Sequence, residues 1–159
     1  LPALDLGGGN VKLLFQLCQQ SLGLVGHGRK LGDQLLVHPV EDLLCPEARL
    51  TAVGTNSLAT SAMLKAGTVR AATGENAVVV NCRNADVIVG PIGIVIADAL
   101  LGEITPAMAA AVCQSPARRV LVPINHCENI VVGVPDQPIG QLVAAAAQKV
   151  KELAEKPCK

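Results

Sequence analysis

The chain has 159 residues, the length of one ordinary domain, and its thirteen basic and thirteen acidic side chains cancel to zero net charge. That balance offers no basic face for a polyanion such as nucleic acid. With no Trp, no Tyr and a single Phe, Phe15, there is no stacking platform for single strands and no aromatic belt for a membrane.

Half of the residues are hydrophobic and only 16% are charged, so a folded core is expected rather than disorder. The longest strongly apolar stretch, from Val87 to Ala97, is interrupted by Gly90, Pro91 and Gly93 and stops at Asp98. It falls well short of the roughly 20 residues a spanning helix needs. Six cysteines, at 18, 45, 82, 113, 127 and 158, show no repeated spacing and no CxxC. Free thiols in a reducing cytoplasm are expected, and no secretory leader is read at the start of the chain.

The alternation of apolar runs and helical patterns predicts βαβ units. Leu1 to Leu6 reads as a strand ending at Gly7-Gly8-Gly9. Asn10 to Gln20 reads as a helix, because Val11, Leu14, Phe15 and Cys18 fall at helical spacing. Residues 21 to 48 are broken by Gly23, Gly26, Gly28 and Gly32 and are read as an irregular insertion, lid or interaction arm.

Leu50 to Val53 predicts a strand ending at Gly54, and Ser57 to Ala66 a helix stopped by Gly67. Glu75 to Cys82 predicts a helix, Asp86 to Val89 a buried strand, and Gly93 to Leu101 a further helix. Thr105 is a helix cap, with Pro106 at the first position and Ala107 to Cys113 following. Arg119 to Ile124 and Ile130 to Val134 read as strands, the last pair as an antiparallel or edge unit. A terminal helix covers about Ile139 to Leu153. Continuous apolar strands flanked by helices imply a mostly parallel sheet covered on both faces. The expected fold is therefore α/β, a three-layer, doubly wound, Rossmann-like single domain over residues 1–159.

Open parallel sheets bind ligands beyond the carboxyl ends of their strands. The residues expected there are Asp5 with Gly7, Gly8 and Gly9; Thr55 and Asn56 after Gly54; Gly93 after Gly90-Pro91; and Asn125, His126 and Cys127. Glycine lets a backbone approach a ligand, and the free N–H groups of a helix start attract anions. These tips suggest a phosphate or carboxylate site, although neither a full GxGxxG fingerprint nor a Walker pattern is present. Asn56 or Ser57 serves equally as a helix cap.

Glu75 and Glu103 each lie beside a helix start, where the helix dipole favours a carboxylate; they are also the acid–base candidates. Cys127 is the nucleophile candidate, but its neighbour His126 is poorly placed to act as its base. His27, His38 and Cys45 match no zinc spacing, so no metal site is assigned, and no cofactor is specified. Cys18, Cys82 and Cys113 are expected on helix faces in the core.

From residue 53 to 134 the chain resembles a bacterial family of small Rossmann-like proteins classed as a domain of unknown function. The resemblance is carried by Val53-Gly54-Thr55-Asn56, Ala62-Met63-Leu64-Lys65-Ala66-Gly67, Thr73-Gly74-Glu75-Asn76-Ala77 and Gly90-Pro91-Ile92-Gly93-Ile94. Gly102-Glu103-Ile104-Thr105-Pro106-Ala107-Met108, then Pro123, Asn125, Cys127 and Val132-Gly133-Val134, complete it. The first third departs: the family opens with an Asp and a longer glycine run ending in Ile-Gly, where this chain has Asn10-Val11. The resemblance implies a fold and no activity.

The function expected from the residues is binding of a phosphorylated or nucleotide-like small molecule at the strand tips, with no nucleic-acid or membrane partner. The alternative is a structural homo-oligomer or filament. A mean hydropathy of +0.44 and the alanine runs Ala109 to Ala111 and Ala144 to Ala147 favour self-association. A thiol- or metal-handling protein is the third possibility.

Overall fold

The computed structural model describes residues 12–17, 49–65, 70–124, 129–135 and 137–155. Their elements, in chain order, are β1 (Lys12–Leu17), β2 (Arg49–Gly54), α1 (Ser57–Lys65), β3 (Arg70–Thr73), α2 (Glu75–Cys82) and β4 (Val87–Pro91). A 3-10 turn (Ile92–Val95), α3 (Pro106–Gln114), β5 (Arg118–Val122) and α4 (Ile139–Glu155) follow.

The strands form one sheet in the order β3-β2-β1-β4-β5, and every pairing is parallel. β1 lies at the centre: Leu17 is in register with Gly54 of β2, and Phe15 with Val89 of β4. This overturns the helix expected from Asn10 to Gln20. The Val11, Leu14, Phe15 and Cys18 spacing fits a helix, but two neighbouring strands offer the same segment a ladder of backbone hydrogen bonds on both sides. Gly7, Gly8 and Gly9, expected after a strand over Leu1 to Leu6, lie outside the described residues. The strand expected over Leu1 to Leu6 lies outside the described residues, as does the segment 21–48.

Side chains alternate across the strands and divide between two cores. Val53 of β2 and Ile88 of β4 join Val78 and Cys82 of α2 and Met108 and Val112 of α3, with Ile94 and Ile104 between them. Leu50 and Ala52 of β2 and Val87 and Val89 of β4 point the other way, to Met63 of α1 and Ala147 and Val150 of α4. Ala72 and Leu121 pack on the first cluster, while their neighbours Ala71 and Val120 pack on the second. Burial of this kind on both faces is what an all-parallel sheet requires. Each fully buried branched side chain contributes about 1.5–3 kcal/mol relative to exposure.

Local chemistry sets the helix ends. Thr105 caps α3, its hydroxyl accepting from the Met108 N–H at 3.2 Å, and Pro106 fills the first turn as expected. At the other end of α3, Arg119 Nη1 donates to the Ser115 carbonyl at 2.9 Å and to the Val112 carbonyl at 3.3 Å. It thereby occupies acceptors the helix leaves unpaired, with a cation at the negative end of the dipole. Buried Ser115 ties α3 to α2 by donating to the Cys82 carbonyl at 2.6 Å while accepting from the Ala117 N–H at 3.1 Å.

Three expectations are corrected. Gly93 to Leu101 is not a helix: after Ile92–Val95 the chain enters a turn in which Asp98, Leu100 and Leu101 have φ of 60°, 59° and 56°. The left-handed conformation costs a non-glycine residue roughly 1–2 kcal/mol, so no helix passes through it. Ile130 to Val134 is irregular and turned at Gly133, with φ of 84°, rather than a strand. The short strand β3, Arg70–Thr73, was not expected at all; its four residues carry no apolar period of their own. Among the described residues no helix is long and apolar enough to cross a membrane.

Candidate functional site

The β2–α1 turn is built around a close approach. A Cβ on Gly54 would lie 2.4 Å from Thr60 Oγ1, 2.7 Å from the Thr60 nitrogen and 2.9 Å from the Asn56 carbonyl. The absence of a side chain lets the first turn of α1 fold back over the end of β2. Asn56 is the cap: its Oδ1 accepts from the Ala59 N–H at 2.9 Å, which decides between Asn56 and Ser57. Buried Thr60 then joins neighbouring tips, its hydroxyl 2.7 Å from that of Thr73 and 3.0 Å from the Asn56 carbonyl, to which it donates.

Gly74 continues the link. Its N–H donates to the Gly54 carbonyl at 2.9 Å, and with φ of 93° it takes a backbone conformation suited to glycine. No side chain caps α2 there, so the first-turn amides of that helix have no side-chain acceptor. Glu75 is the first residue of α2, a carboxylate at the positive end of the helix dipole.

Two long-range hydrogen bonds then bring the 98–105 segment to the same rim. Thr55 Oγ1 donates to Glu103 Oε2 at 3.1 Å, and Asn56 Nδ2 donates to Thr55 Oγ1 at 3.4 Å. Thr105 Oγ1 makes a short hydrogen bond to Glu75 Oε2 while also capping α3. Thr55, Asn56 and Glu103 therefore form one hydrogen-bonded group, and Glu75 and Thr105 a second, where the 98–105 segment meets the turns after β2 and β3. The spacing in the chain conceals this: the two bonds link residues 48 and 30 positions apart. Thr60 and Thr73, bonded to each other, and Thr105, bonded to Glu75, are hydroxyl partners that the sequence alone does not reveal. Hydroxyl residues repeated at strand-to-helix turns were the available signal.

Gly93 is buried in the 3-10 turn directly after β4. In the strand order the chain steps from β1 through β2 to β3 on one side, then crosses to β4 on the other side of β1, so the order reverses between β1 and β4. Asp5, Gly7, Gly8, Gly9, Asn125 and Cys127 lie outside the described residues, as do His27, His38 and Cys45.

Cys82 is buried as expected, and burial pushes its thiol up to about 11, so it stays protonated and unreactive at neutral pH. Cys113 departs from the core role expected of it: it is exposed, with its Sγ 3.8 Å from the Val95 carbonyl. Among the described residues no group of three or more His, Cys, Asp or Glu side chains is arranged to hold a metal ion.

Comparison with known proteins gives one result. A family model described as a domain of unknown function, DUF3842, matches residues 24–155. No curated protein and no solved structure matches the chain. The family match takes in the resemblance over residues 53 to 134 and extends beyond it on both sides. It spans well over half of the residues, and the chain belongs to the DUF3842 family, a domain of unknown function.

Proposed function

We propose that this protein binds a small phosphorylated or nucleotide-like molecule at the carboxyl ends of its parallel strands, on a three-layer, doubly wound, Rossmann-like frame. The observation that carries the reading is the meeting of the tips: Thr55 is bonded to Glu103 and Glu75 to Thr105, at the turns that follow β2 and β3. Ligands of open α/β sheets bind beyond the carboxyl ends of the strands. The first-turn amides of α2, which no side chain caps, would face the anionic end. The two carboxylates are suited to accept hydrogen bonds from ligand hydroxyl or amino groups.

The test is dye-reported thermal unfolding with a panel of nucleotides, sugar phosphates and inorganic phosphate. A true ligand at about one hundred times its Kd stabilises the fold by about 2.7 kcal/mol, and the midpoint climbs further with concentration. A panel without any concentration-dependent rise refutes the reading.

The second reading is a homo-oligomer without a reaction. It is favoured by apolar side chains left in solvent on the helices: Leu58 is 61% and Leu64 47% exposed on α1, and Val80 is 43% exposed on α2. Light scattering across a dilution series distinguishes the two: a large assembly together with a silent ligand panel supports the oligomer.

A further inference from the structure

Helix α2 turns an apolar stripe with a charge at each end away from the core. Glu75, Val79 and Arg83 follow one another at intervals of four, so they line one side of the helix. Arg83 is the C-cap and keeps helical angles, with φ of −66° and ψ of −30°, so the stripe runs unbroken to the end of the helix. Val80 beside it is 43% exposed, whereas Val78 on the far side is fully buried.

The same face opens into a groove. Between α2 and α3 lies a cavity of about 470 Å³, whose walls include Val79 and Arg83 on one side and Ala107, Ala110, Ala111 and Gln114 on the other. These four α3 positions share one side of that helix, and three carry only a methyl group, so a further helix can come close. Arg83 is exposed, and its guanidinium makes no hydrogen bond or ion pair among the described residues. No acidic side chain lines the groove to answer it. Glu75, exposed at the other end of the stripe, accepts from Thr105 through Oε2.

An occupant of this face needs an apolar centre and a carboxylate that reaches Arg83. A second copy of α2 meets both needs. Laid antiparallel about a two-fold axis at Val79, it sets its Glu75 opposite Arg83 and its Arg83 opposite Glu75, because the two charges stand four residues to either side of the valine. A two-fold interface requires a patch that complements itself, and opposite charges spaced equally about an apolar centre form one. We propose that this protein forms a two-fold dimer through the α2–α3 face, with α2 of each copy against the groove of the other and a Glu75–Arg83 pair at each end. This rests on the homo-oligomer reading above and adds to it the face and the number of copies.

The test is sedimentation equilibrium of the full chain as wild type, Arg83→Glu, Ala110→Gln, and the exchange that combines Glu75→Arg with Arg83→Glu. Arg83→Glu sets two carboxylates against each other at both ends, and the dimer predicts association weaker by about tenfold or more. Ala110→Gln, at an exposed position of α3, fills the groove and has the same effect. The exchange restores both pairs with their signs reversed and returns the affinity to within about threefold of wild type, a recovery that damage to the fold cannot give. Wild-type affinity in either single variant overturns this face while sparing the oligomer. An exchange that associates no better than Arg83→Glu, at an unchanged thermal midpoint, overturns the two-fold pairing. Both single variants keep the Glu75–Thr105 bond, so they decide the matter even where the exchange disturbs it. A wild type that is monomeric throughout overturns the dimer together with the homo-oligomer reading.

Discussion

Gly54→Ala tests whether the tip of β2 is built as described. The added methyl would stand 2.4 Å from Thr60 Oγ1, 2.7 Å from the Thr60 nitrogen and 2.9 Å from the Asn56 carbonyl. Two of these are backbone atoms of the β2–α1 turn, so rotating a side chain cannot relieve them. Overpacking of this kind costs roughly 1–3 kcal/mol. If α1 moves away, Thr60 also gives up its contacts with Thr73 and the Asn56 carbonyl, at about 1 kcal/mol for each hydrogen bond. The expected loss is about 1–5 kcal/mol, read from urea unfolding followed by far-UV circular dichroism, because the chain has no Trp. Gly102→Ala is the control: its φ is 85° but nothing lies within 4 Å, so backbone strain alone acts, at roughly 1–2 kcal/mol. Adding Thr60→Ala to Gly54→Ala removes only the hydroxyl contact, so rescue should be partial. A Gly54→Ala protein within about 0.5 kcal/mol of wild type would refute the close approach.

Two further predictions concern stability. Cys82 holds its proton to about 11 in the fold, against an ordinary thiol value of 9.0, because burial disfavours the thiolate. Below pH 9 both folded and unfolded chains keep the proton and the stability is intact. Between there and pH 11 the unfolded chain ionises first, so stability falls as pH rises, by up to about 1.4 kcal/mol for each pH unit. The difference in stability between wild type and Cys82→Ala should shrink over that window; a difference that is constant with pH would refute the assignment. Thr105→Ala removes the cap from α3 and the partner of Glu75, and should cost about 1–2 kcal/mol in thermal or urea unfolding, with Thr105→Ser restoring most of it. An equal loss in the Ser variant would show that the methyl group, not the hydroxyl, matters.

What could be read from the chain was local or periodic. Thr105-Pro106 announces a helix start because a capping hydroxyl and a proline at the first position act within one turn. Val87–Pro91 reads as a buried strand because a continuous apolar run bounded by Gly-Pro suits a sheet covered on both faces. The same reasoning failed where several periods fit. Lys12–Leu17 satisfies a helical spacing as well as a strand, and pairing with β2 and β4 decided it. Arg70–Thr73 has no pattern of its own and is a strand because β2 offers it an edge. From Gly93 to Leu101 the apolar residues are too dense to reveal that the chain turns left-handed at Asp98.

The candidate site divides in the same way. Thr55, Asn56, Glu75 and Glu103 were singled out one turn at a time, as polar residues at helix starts, and that much the chain alone determined. That Thr55 meets Glu103, and Thr105 meets Glu75, only the tertiary structure decided. Strand order, not distance along the chain, brings these turns to one rim, and strand order is settled by long-range pairing and by which faces of the sheet the helices cover.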